Sequence, residues 1–203
     1  MPSPTRGLTQ PQRLEISGRR LLEAAVELIA EKGWEATSAA EIGRRAGYSR
    51  AMVHARYGSK DAILDTLFST EYEKKLSPVA DPGSTGLAQA LAHVDRITDL
   101  YSDDPDLLRA IFVLTFEAAK STSQAHPYIR MWLKRAADTV GAGLRNGITD
   151  GSVRSDIDVE RAINDFGAAV LGTAYQWIMA AYPIDMAAEM AYVRARLIHD
   201  YGH

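Results

Sequence analysis

The stretch AGYSRAMVHARYGSK, residues 46–60, decides how this chain is read. It carries Arg50, Arg56 and Lys60, with His54 between them, and no acid. Gly47 stands where one helix can end, and Ser49 where the next can begin. The spacing predicts a short helix from Arg50 to Tyr57, with Val53 and Tyr57 turned inward. Upstream, Ser38 and Glu41 form a capping-box pattern, in which two free N–H groups at a helix start are satisfied reciprocally. That predicts a second short helix from Ala39 to Ala46, with Ile42 and Ala46 inward.

Two short helices joined by a tight turn containing Gly make a helix-turn-helix pattern. In that geometry the second helix presents its first turn to base edges in the major groove. Its outward positions are Arg50, Ala51, Met52, His54 and Ala55. Arginine suits guanine O6 and N7, and small apolar side chains allow close approach and contact with a thymine methyl.

Charge agrees with this placement. Residues 1–60 hold ten Lys/Arg against six Asp/Glu, whereas the rest holds thirteen against twenty, within a total of −3 over 203 residues. A basic cap on an acidic body fits a polyanion at one end. There are no cysteines, so disulfides and thiolate metal sites are excluded. No apolar run reaches the 18–20 residues of a membrane span, and the N-terminal MPSPTRGLTQPQ is not a signal peptide, so a cytoplasmic protein is expected.

Outward from the motif, apolar residues recur at three- and four-residue spacing and strand-like alternation is scarce. A first helix is expected from Pro11 to Lys32, with Leu14, Leu21, Leu22, Ala25, Leu28 and Ile29 inward and Gly33 as its stop. A longer helix is expected from Lys60 to Leu76, capped by Ser59, then a loop over SPVADPGSTG, residues 77–86. Further helices are expected near 85–101, 105–120, 127–146, 159–182 and 186–200, punctuated by Asp104-Pro105, Asn146-Gly147, Asp150-Gly151, Asp158 and Pro183-Ile184-Asp185. The division is a mobile arm over 1–13, a helix-turn-helix unit over 14–60, a connecting helix over 61–76 and a larger helical domain over 77–203.

Residues 19–68, RRLLEAAVELIAEKGWEATSAAEIGRRAGYSRAMVHARYGSKDAILDTLF, resemble the TetR family of bacterial transcriptional regulators. The shared pattern comprises an Ala-rich helix ending in Lys32-Gly33-Trp34, then Thr37-Ser38, Ile42, Ala46-Gly47, Ser49, an aromatic at 57, and Ser59-Lys60 followed by Leu64. The resemblance implies an all-α fold: an N-terminal three-helix helix-turn-helix DNA-binding domain followed by a larger helical ligand-binding and dimerisation domain. It implies a homodimer on a double-stranded DNA operator, released by a small-molecule effector, with no cofactor and no membrane.

Position by position, the resemblance implies a DNA interface of Thr37, Ser38, Tyr48, Ser49, Arg50, Ala51, Met52, His54, Ala55, Arg56 and Lys60. Arg50, Ala51, Met52 and Ala55 would lie nearest the bases; Thr37, Ser38, His54, Arg56 and Lys60 would face phosphate. Ala51 and His54 depart from the family's usual Gly and Tyr. In the second domain it implies an effector pocket among His93, Tyr101, Phe112, Phe116, Tyr128 and Trp132. It implies a dimer face among Phe166, Val170, Ala174, Trp177, Met190, Val193 and Leu197.

Catalytic patterns are wanting: there is no phosphate loop, nucleophile elbow or paired acid and base. His199 and His203 are four apart but have no third ligand nearby, so no metal site is expected. The competing reading is a helical small-molecule-binding or scaffold protein whose helix-turn-helix does not read DNA.

Overall fold

The computed structural model describes residues 9–78, 81, 83–120 and 122–203, without the side chains of 71–73. Most of the expected arm, including Arg6, and residues 79, 80 and 82 of the expected loop lie outside the described residues. Every extended element described is a helix; strand pairing is limited to one isolated bridge, Val153 with Gly202.

The first helix, α1 (Gln10–Lys32), starts earlier than expected because Thr9 and Gln12 form a capping box, so residues 10–13 are helical. Leu21, Ala25 and Ile29 are fully buried, and the chain leaves through Gly33 at φ 85°, a conformation that disfavours a side chain. Leu14 departs from expectation and is exposed: the end of α1 projects beyond the domain core. Next come α2 (Ala39–Arg45) and α3 (Arg50–Tyr57). Ser38 and Glu41 make the capping box that the sequence predicts. Ile42 and Val53 meet in the core with no exposure.

The connecting segment is not one uniform α-helix. It runs as α4 (Asp61–Thr66), a π-helical stretch over Leu67–Tyr72, and α5 (Glu73–Leu76). The Ser59 hydroxyl accepts the Ala62 N–H and so caps this segment as expected.

The second domain comprises α6 (Gly86–Asp103), α7 (Pro105–Glu117), α8 (His126–Asp150), α9 (Val159–Met179) and α10 (Met186–Tyr201). Asp104, Asp158 and Asp185 cap their helices through side-chain oxygens, and Pro105 stands in the first turn of α7. One expected breaker fails: Asn146-Gly147 lies inside α8, which continues to Asp150 and ends at Gly151, φ 81°. Gly147 serves packing instead. A Cβ on Gly86 would stand 1.9 Å from the Gly147 nitrogen, and one on Gly143 would stand 2.5 Å from the Ala90 nitrogen. The small residues let α6 and α8 cross backbone to backbone.

Candidate nucleic-acid interface

The turn between α2 and α3 is built by three local features. Gly47 adopts φ 79°, and the Tyr48 N–H donates to the Gly43 carbonyl at 2.7 Å. A Cβ on Gly43 would sit 2.7 Å from the Ser49 carbonyl oxygen, so only glycine lets the two helices approach this closely. Gly43 is a functional position that the sequence reading missed; its signal was a glycine inside a capped helix. Ser49 occupies the N-cap position of α3 in extended backbone, but its hydroxyl makes no capping bond. The first-turn N–H groups of α3 are therefore not taken by that side chain.

Two bonds anchor α3 to α1. The Tyr57 hydroxyl donates to the Gly18 carbonyl at 2.8 Å, and the Arg56 guanidinium donates to the Leu14 carbonyl. Val53 supplies the buried contact. With that face held, Arg50, Ala51, His54 and Ala55 are exposed, while Met52 and Tyr48 are half-buried. Tyr48 and Met52 border a groove with Arg13, Leu14 and Ser17 from the start of α1. The structure thus brings the base-facing set together on one surface.

The phosphate-facing set is rearranged. Thr37 is buried and its hydroxyl donates to the Gly33 carbonyl at 2.7 Å, closing the turn after α1. Lys60 Nζ donates to the carbonyls of Trp34 (2.9 Å) and Thr37 (2.8 Å) and lies 4.3 Å from the centre of the Trp34 ring. Burial pulls the Lys60 ammonium below the ordinary lysine range. Arg56 is committed to Leu14, as above. In all three cases a backbone carbonyl takes the donor: Leu14 near the start of α1 for Arg56, and the turn after α1 for Thr37 and Lys60.

Ser38 is exposed, but its hydroxyl is shared with Glu41, whose Oε1 is 2.6 Å from Lys32 Nζ. Hydrogen bonds from Lys32 and Ser38 hold the Glu41 carboxyl at a pKa of about 2. A fixed carboxylate therefore occupies the start of α2, where a phosphate was expected. His54 Nδ1 lies 3.0 Å from the Gly58 carbonyl. A carbonyl only accepts, so Nδ1 is the donor in this contact. Among the neighbouring arginines, Arg45 is neutralised by Glu27 and Glu31, whereas Arg44 and Arg50 stay exposed.

The α1 terminus is also gripped from the second domain. The Trp34 N–H donates to Glu117 Oε2 at 2.8 Å, and the Arg109 Nε–H donates to the Ala30 carbonyl at 3.2 Å. Lys120 lies 3.6 Å from Glu35. Thus α7 holds the backbone from which α2 departs. Glu117 was not found from sequence, because its partner is 83 residues away.

In the second domain the expected pocket residues separate. His93 and Trp132 line one cavity of about 60 Å³, together with Leu76, Val94, Phe166 and Val170. Tyr128 and Trp132 line a cleft of about 280 Å³ with Asp65, Phe68, Ser69 and Arg135. Tyr128 stacks on Phe68, with ring centres 4.6 Å apart, and its hydroxyl donates to Asp65. Tyr101, Phe112 and Phe116 line neither space. Phe112 is buried and stacks on Phe116, Phe116 packs edge-on to Tyr175, and Tyr101 packs edge-on to Trp177.

Most residues of the expected dimer face are covered by their own chain. Phe166, Ala174, Met190, Val193 and Leu197 are buried within this one chain, and Val170 and Trp177 are half-buried. The opposite sides of α9 and α10, with the connection between them, expose Tyr175 (51%), Met179 (63%), Tyr182 (69%) and Tyr192 (68%). Gly167 and Gly172 have open space where a Cβ would stand. Both sides of α9 are apolar, and the sequence pattern alone could not say which one its own chain covers.

A capped two-helix turn held on a third helix, with an arginine-led helix face left exposed, defines a DNA-binding regulator of the helix-turn-helix class. Residues 21–67 match the family model for bacterial regulatory proteins of the tetR family. It is similar to the fatty acid metabolism regulator protein of Bacillus subtilis, 22% identical, covering 83% of this chain and 87% of that one. It is similar to the transcriptional repressor KstR2 of Rhodococcus jostii, 29% identical, covering 72% and 73%. Among solved structures, a TetR-family regulator from Agrobacterium tumefaciens superposes with a TM-score of 0.77 at 20% identity, covering 94% and 100%. Its relatives are transcription regulators, not enzymes. No helix among the described residues is long and apolar enough to cross a membrane.

Proposed function

We propose that this transcriptional regulator is a homodimeric repressor that binds a near-palindromic operator in the cytoplasm and is released by a small molecule. The observation that carries the reading is the exposed face of α3, with Arg50, Ala51, His54 and Ala55 outward on a helix whose opposite side is fixed by Val53 and Tyr57. Two such helices, in successive major grooves, would stand about 34–36 Å apart. Repression is supported by the name of KstR2, a repressor, and small-molecule control by the choline held in a similar structure from Saccharomonospora viridis.

Dimerisation through the exposed side of α9 and α10 fits the aromatic and glycine residues there. Apolar patches of this kind, rare on monomers, mark protein interfaces. Ligand control then follows from linkage. A molecule bound among α6, α8 and α9 changes DNA affinity only if it favours one spacing of the two α3 helices. The contacts of Arg109 and Glu117 with the end of α1 give α7 a mechanical hold on that spacing.

Purified protein incubated with fragmented bacterial DNA, followed by recovery and sequencing, tests the reading. The expected result is enrichment of a site with two related half-sites. Uniform, salt-sensitive retention of all fragments would favour the scaffold reading instead.

A further inference from the structure

The cavity beside His93 is lined almost wholly by aliphatic and aromatic side chains, and none of its lining residues is charged. His93 itself is the exception in polarity, and its Nε2 is buried without a hydrogen-bond partner. A buried polar atom left unpaired is costly, and an outside group that reaches it when the cavity lining shifts can pair with it. Burial also holds the imidazole neutral, with a pKa of about 4, so it offers one neutral hydrogen bond and not a counter-charge.

The space is small as it stands, but Trp132 lines both this cavity of about 60 Å³ and the open cleft of about 280 Å³ on α8. Its indole packs edge-on to His93, 6.4 Å between ring centres. Moving that side chain joins the two spaces and brings them to the lower end of the ~300–1,000 Å³ usual for small-molecule sites. On the far wall of the cleft, Phe68 lies in the π-helical stretch between the domains; such stretches often occur at functional sites.

We propose that the effector is a neutral, mainly apolar molecule carrying one hydroxyl or carbonyl oxygen, which enters past Trp132 and pairs with His93 Nε2. This rests on the reading of the second domain as the effector-binding unit. A carboxylate or ammonium in the inner cavity would lose its hydration with no opposite charge in return.

The test uses the full chain and four probes of equal length: 1-octanol, 2-octanone, octanoate and octylammonium. Binding is followed by tryptophan fluorescence. The alcohol and ketone are expected to bind at least about tenfold more tightly than the two ions, and His93→Leu is expected to weaken the alcohol about tenfold, the scale of one lost hydrogen bond. In unaltered protein, nitrogen NMR of the His93 ring should shift on adding octanol, which keeps the test open if the variant fails to fold. Tighter binding of octanoate, or an unmoved His93 signal at octanol saturation, would overturn the assignment. DNA affinity is scored on the same samples. Oxygen-dependent probe binding without DNA release supports the site chemistry and counts against ligand control. DNA release by octanoate alone overturns the ligand class and supports ligand control.

Discussion

Burial sets the ionisation of His93, and the sign of its effect on stability follows. An unfolded histidine titrates near 6.5, whereas His93 in the native protein titrates at about 4. Its contribution is fully present above pH 6.5. As pH falls from 6.5 to about 4 the unfolded chain takes up a proton that the native one refuses, and stability is lost. Below about 4 both are protonated and the loss stops growing. Urea titrations at pH 7.5 and 4.5 should show a drop for the native sequence that is smaller in His93→Leu; equal drops would remove His93 from the account. Lys60 is a second case in which a side chain's partner defines its role. Lys60→Ala removes the ammonium donor from the Thr37 carbonyl and leaves the Trp34 carbonyl with the Thr37 N–H alone, so stability should fall by about 1–3 kcal/mol. The salt dependence of DNA binding should stay unchanged, and a slope reduced by about one would restore Lys60 as a phosphate ligand. Sequence could not separate these roles: a Lys after Ser59 reads as phosphate-facing until the fold brings Trp34 and Thr37 to it. The exposure of Arg50 was legible, because the acid-free stretch around it offers no partner.

At the scale of elements, helix α3 depends on its approach to α2. Gly43→Ala places a methyl against the Ser49 backbone, which cannot rotate away. The strain should cost about 1–3 kcal/mol and tilt α3 out of register. Thermal denaturation alongside DNA titration checks this: affinity should fall even at temperatures where the variant is fully folded. Unchanged affinity in a folded variant would mean that the close approach is not needed. The helices themselves were readable wherever a cap or stop acts locally, as with Ser38 and Glu41, Asp104-Pro105, and Gly151. Asn146-Gly147 misled because the same glycine that breaks an isolated helix also permits α6 and α8 to cross. That choice is made by Gly86 and Ala90, more than fifty residues away. The π-helical stretch between α4 and α5 had no local signal either.

At the scale of the whole molecule, an apolar patch on α9, α10 and the connection between them stays exposed among the described residues. Tyr175, Met179, Tyr182 and Tyr192 lie on it, and the dimer of the proposed function is built there. Met179→Asp together with Tyr192→Asp should yield a folded monomer by sedimentation, with full helicity and weakened operator binding. A dimer that persists would move the interface elsewhere. The residues first assigned to that interface, such as Met190 and Leu197, would instead unfold the protein if charged, since they are buried in the protomer. Sequence pattern does not say which side of these helices the chain itself covers; three-dimensional packing does.

The central claim is that Arg50 on α3 reads the operator, twice, from one dimer. Methylation interference at guanine N7 on the recovered operator tests it most directly. The account predicts two interfering guanines about one helical turn apart, both lost in Arg50→Ala, with an affinity loss of about 1–3 kcal/mol per half-site. The same interference pattern in native protein and Arg50→Ala would contradict it.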